Sequence, residues 1–67
     1  MHQSFLRLPE VIQRTGFSRS RIYALKEQGE FPQPIKIGAR AIAWLEAEVS
    51  AWIESRVTAA RNQSPKN

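Results

Sequence analysis

A mainly α fold, with three helices and a small two-stranded β-hairpin, is what this sequence of 67 residues predicts. Three observations lead there. Apolar residues recur at helical spacing over residues 9–15, 19–28 and 46–61. The first two stretches are separated only by Gly16, Phe17 and Ser18, a helix stop followed by a helix cap. Between the second and third, Pro32 and Pro34 force an extended path; Ile35, Lys36 and Ile37 then alternate into a turn at Gly38, Ala39 and Arg40.

Taken in order, Met1 to Ser4 are expected to be loose, and Phe5 and Leu6 to begin the packed structure as an extended segment. Pro9 suits the first position of a helix, where its missing N–H costs nothing, and Glu10 lies at the pole that favours negative charge. Val11 and Ile12 give this helix its buried side. Arg14 complements its far pole, and Gly16, free to adopt positive φ, ends it. Ser18 caps the next helix by accepting from its free N–H groups, and Phe17 is placed to pack as a staple against Ile22. Ile22 and Leu25 form the inward stripe of that second helix, which ends at Gly29.

In the hairpin, parity puts Ile35 and Ile37 on one face of the first strand and Ile42 and Trp44 on one face of the second. Lys36 and the tip residue Arg40 are left in solvent. From Leu45 or Glu46 a helical period returns, with Leu45, Val49, Trp52, Ile53 and Val57 along one side. Glu46 and Glu48 at its start and Arg56 and Arg61 near its end both suit the dipole. Its outer face, with Ala47, Ser50 and Glu54, is small or acidic. Residues 1–61 form one domain in this account, and 62–67 a disordered polar tail.

Composition excludes more than it assigns. A chain this short has no room for a buried catalytic cleft. Cysteine is absent, so no disulfide or thiolate metal site is available and a reducing compartment suits it. No apolar run reaches the length of a membrane span or a signal peptide, which points to a soluble, cytoplasmic, nucleoid-associated protein. His2, the one histidine, lies in a terminus expected to fray, so no metal site is expected. Ser18 and Ser20 have no histidine or paired carboxylate to activate them, and the glycines make no phosphate-cradling loop. An enzyme, a cofactor and a small-molecule ligand are therefore not expected.

The formal charge is +4, and its distribution is uneven. Arg7, Arg14, Arg19, Arg21, Lys26, Lys36 and Arg40 outnumber Glu10, Glu27 and Glu30 in residues 1–45, whereas the three basic and three acidic residues beyond balance. All the excess thus lies with the corner and the hairpin, as a polyanion-binding surface requires. Basic residues on a helix are often no more than a solvated face. Here Arg19, Arg21 and Lys26 follow a capped corner, lie on the second helix of a pair and precede a basic hairpin, and this context points to DNA. The N-terminal half of such a helix is the part that enters the major groove. Arg19, Ser20 and Tyr23 project to the side of the apolar stripe or away from it, and Tyr23 suits a phosphate contact through its hydroxyl. Trp44 and Trp52 are expected in the core and not as stacking platforms.

The segments RLPEVIQRTGFSRSRIY, EFPQPIKIG, RAIAW and EVSAWI, spanning Arg7 to Ile53, resemble the AlpA family of small phage and genomic-island regulators. The resemblance implies a winged helix-turn-helix similar to the DNA-binding module of MerR-type regulators and some excisionases. It places major-groove contacts on Ser18, Arg19, Ser20, Arg21 and Tyr23, and contacts to the flanking backbone or minor groove on Lys36 and Arg40 in the wing. Arg21 stands where relatives often carry threonine or serine, which adds charge near the DNA backbone. The long dimerising helix of MerR-type proteins is missing, so self-association would use the last helix, the tail or contacts on DNA. The implied function is sequence-specific binding of double-stranded DNA as a transcriptional regulator of mobile-element genes such as an integrase gene. One alternative is an excisionase that bends attachment-site DNA for a recombinase; another is a protein-interaction module using the Trp52 helix.

Overall fold

The computed structural model describes residues 4–62. In chain order these form β1 (Phe5–Leu6), α1 (Leu8–Thr15), α2 (Arg19–Glu27), β2 (Ile35–Gly38), β3 (Ala41–Leu45) and α3 (Glu46–Asn62). Three helices and the β2–β3 hairpin make the expected winged helix-turn-helix. The hairpin is extended by β1, which pairs antiparallel with β3 through Phe5 opposite Leu45 and Leu6 opposite Trp44, giving a three-stranded sheet in the order β1-β3-β2. Ser4 is tied down with it, its carbonyl accepting from the Glu46 N–H at 2.8 Å, so the loose terminus foreseen for residues 1–4 does not include Ser4. The rest of that terminus lies outside the described residues.

Local chemistry explains the helix ends. The backbone N–H of Arg7 donates to Glu10 Oε1 at 2.8 Å, closing the start of α1, in which Leu8 is the first residue and Pro9 the second. At the far end of α2, Gly29 has φ +74°, the Gly29 N–H reaches the Lys26 carbonyl at 3.0 Å, and the Glu30 N–H reaches Leu25 at 2.8 Å. This paired closure satisfies two carbonyls that would otherwise end the helix unbonded.

One core joins every element except β2: Leu6, Val11, Ile22, Leu25, Phe31, Trp44 and Val49, with Leu8, Ile12, Phe17, Trp52 and Ile53 half-buried around it. Trp44 is fully buried, whereas Trp52 is only half-buried, with its indole N–H donating to the Glu30 carbonyl at 2.9 Å. The expectation that both tryptophans are core thus holds fully for Trp44 alone.

The wing departs from its simple parity. Ile35 and Ile37 are 38% and 41% exposed, and Ile42, which faces Lys36 across the pair, is exposed too. β2 is the outer strand and the register shifts between Lys36 and Gly38. No element is packed closely enough over the wing to bury its isoleucines. Leu45 belongs to β3 and not to the helical stripe, and Val57 is 44% exposed because α3 runs on beyond the core. Asn62, expected in the tail, is the last residue of α3; residues 63–67 lie outside the described ones.

Candidate nucleic-acid interface

The corner between α1 and α2 is closed by backbone geometry and short hydrogen bonds. Gly16 has φ +76°, and its N–H donates to the Ile12 carbonyl at 2.8 Å. Thr15 Oγ1 donates to the Val11 carbonyl at 2.8 Å and accepts from the Phe17 N–H at 3.2 Å. Ser18, with extended backbone, accepts the Arg21 N–H on Oγ at 3.1 Å, the cap that the sequence called for. Phe17 packs on the core edge-on to the Trp52 ring, with centroids 6.0 Å apart, so the corner is also fixed against α3.

Burial then divides α2 into two sides. Ile22 and Leu25 are buried, whereas Ser18, Arg19, Ser20 and Arg21 are all exposed at its N-terminal end. Ser20 stands opposite the buried stripe, and Ala24, one turn further on, continues its line. Ala24 is exposed and was not singled out from the sequence; its spacing of four from Ser20 was the available signal. A small residue there lets the helix approach a partner closely. Arg21 lies at the side, its guanidinium 5.5 Å above the Phe17 ring, a cation–π contact that ties it to the corner. Tyr23 is half-buried, and Lys26 Nζ lies 5.7 Å over its ring and 3.9 Å from Glu27. Lys26 is the most covered of the candidate cations, its side chain 23% exposed.

The wing residues Lys36 and Arg40 are exposed, Arg40 in the turn between β2 and β3. Among the described residues neither they nor Arg19 and Arg21 have an acidic partner within ion-pairing distance, whereas Arg14 is bound to Glu46 at 2.9 Å. Three candidate cations therefore stand free at the corner end of α2 and in the wing, and a fourth is steered by an aromatic ring.

The segment between α2 and β2 holds these two parts in place. Phe31 is buried against both tryptophans, its ring 6.5 Å from Trp44 and 4.8 Å from Trp52. The Trp44 indole N–H donates to the Pro32 carbonyl at 2.8 Å, and Gln33 Nε2 donates to the Lys26 carbonyl at 3.1 Å. An aromatic cluster thus links the C-terminal end of α2, the base of the wing and α3. Phe31 was not singled out from the sequence, since a lone aromatic among prolines has no periodicity to announce burial.

Comparison with known proteins gives this geometry a family. Residues 4–57 match the family described as prophage CP4-57 regulatory protein (AlpA). The chain is 47% identical over 55 residues to ORF88 of Enterobacteria phage P4, covering 82% of this chain and only 62% of that protein's length. It is 37% identical over 57 residues to the DNA-binding transcriptional activator AlpA of Escherichia coli (strain K12), covering 76% of this chain and 81% of that protein. With its corner, its wing and α3 as far as Val57 inside the matched residues, the chain belongs to the AlpA family of regulatory proteins.

Proposed function

We infer that this protein is a sequence-specific double-stranded DNA-binding transcriptional regulator of prophage or genomic-island genes, an integrase gene among them, acting in the cytoplasm. The observation that carries this reading is the exposed N-terminal end of α2, with Arg19, Ser20 and Arg21 presented beside a rigidly closed corner. The Escherichia coli relative, a DNA-binding transcriptional activator, supports it. Ser20 and Arg19 read base edges, Ala24 allows close approach, and Ser18, Arg21 and Tyr23 meet phosphates. Lys26 adds only a modest field from the rear of the helix, and Lys36 and Arg40 clamp the flanking backbone. No step in this activity is catalytic.

Footprinting on the DNA that flanks the protein's own gene tests it. Protection at a promoter-like site is the expected result. A phased series of sites with marked bending would assign the same surface to excision beside a recombinase. Absence of protection even in low salt would remove DNA as the partner and move attention to α3.

A further inference from the structure

Beyond its contact with Trp52, α3 continues without tertiary support: every residue from Glu54 to Asn62 is exposed. The apolar stripe nevertheless continues through Val57, and the charges are placed around it in a regular way. Glu54 lies three residues before Val57 and Arg61 four after, which puts both on one flank of the stripe. Ile53 lies four before and Ala60 three after, which puts both on the other flank. The segment is therefore self-complementary about Val57. A twofold axis perpendicular to the helix at that residue brings Glu54 of one copy beside Arg61 of the other, at both ends. The same rotation sets Val57 against its own copy and Ala60 against the side of Ile53 that its packing on the core leaves uncovered. A parallel pair would instead set the charged flank of each helix against the apolar flank of the other, so the charges select the antiparallel arrangement.

We propose that the outer half of α3 is a homodimerisation surface, its occupant a second copy of this chain packed antiparallel about Val57. Two short helical segments bury less than the ~1,200 Å² at the lower end of stable interfaces, so the dimer is weak in free solution and favoured where two copies are held close together. Arg56 lies beyond the Ile53–Ala60 flank, away from Glu54 and Arg61, and its guanidinium is held 5.3 Å over the Trp52 ring. One consequence rests on the DNA-binding reading: an isologous dimer presents its two α2 helices in inverted orientation, so the preferred site is an inverted repeat.

Sedimentation equilibrium of the full chain without DNA, at concentrations up to about 1 mM, tests the surface directly. Reversible dimerisation is expected. Glu54→Arg or Arg61→Glu alone should weaken it by roughly tenfold, because each reverses two pairs in the dimer. The double variant Glu54→Arg with Arg61→Glu should return to within a fewfold of wild type, and Val57→Lys should leave only monomer. All these positions are exposed, and circular dichroism checks that each variant folds. A wild type that stays monomeric throughout, a double variant as weak as either single one, or a Val57→Lys chain that still dimerises would overturn the proposal. Since DNA is absent, failure here leaves the DNA-binding reading standing. A chain that dimerises but binds no DNA would fail that reading alone.

Discussion

Gly16 and Ser18 fix the angle at which α2 leaves α1, and each does so by a separate physical means. At Gly16 a Cβ would meet nothing within 4 Å, so any cost of substitution comes from the left-handed backbone alone. Gly16→Ala is therefore predicted to destabilise by about 1–2 kcal/mol, and Gly16→Asn by less, because asparagine tolerates that conformation better. Ser18→Ala should cost about 0.5–2 kcal/mol through the lost cap to Arg21. Urea denaturation of the three variants measures both, and a Gly16→Ala chain as stable as wild type would contradict the corner geometry. This part of the site was legible in the sequence because a stop glycine and a capping serine act locally. Phe31 and Ala24 were not: the first is placed by two tryptophans distant in sequence, the second by having no side chain to attract notice.

At the level of elements, the sequence conveys the helices and the hairpin through periodicity, but it does not convey what lies across from them. The pairing of β1 with β3 joins two residues to a strand about forty positions later, and no local pattern signals such a short strand. The wing isoleucines alternate as a buried face would, yet β2 is an outer strand and they stay more than a third exposed. Energetically the two tryptophans should separate. Trp44 is fully buried between helices and sheet, so Trp44→Ala should cost about 3–5 kcal/mol, comparable with all that a core of this size supplies, and leave the chain unfolded. Trp52→Ala, at a half-buried position, should cost less and leave a folded chain with a loosened α2–β2 segment. Thermal melts followed by circular dichroism distinguish the two; equal losses would mean that Trp52 is as central as Trp44. In the wing, Lys36→Ala and Arg40→Ala should each weaken binding to all DNA sequences about equally and lower the salt slope by roughly one unit, as titrations at several salt concentrations would reveal.

For the whole molecule, the net charge of +4 is carried by the corner and wing side of the chain, while the two arginines of α3 are outnumbered by its three glutamates. If about four to six lysine and arginine side chains neutralise phosphates, log K should fall with log salt at a slope of roughly −3.5 to −5.5. A nearly salt-independent affinity would contradict the electrostatic part of the account. The central claim is narrower: the exposed N-terminal end of α2 reads base sequence. Binding-site selection with Arg19→Ala and Ser20→Ala, each shown by circular dichroism to be folded, tests it most directly. The account predicts a changed base preference at one or two positions and a loss of about 1–3 kcal/mol on the best site. Variants that keep both wild-type affinity and wild-type preference would contradict it and place recognition elsewhere on the molecule.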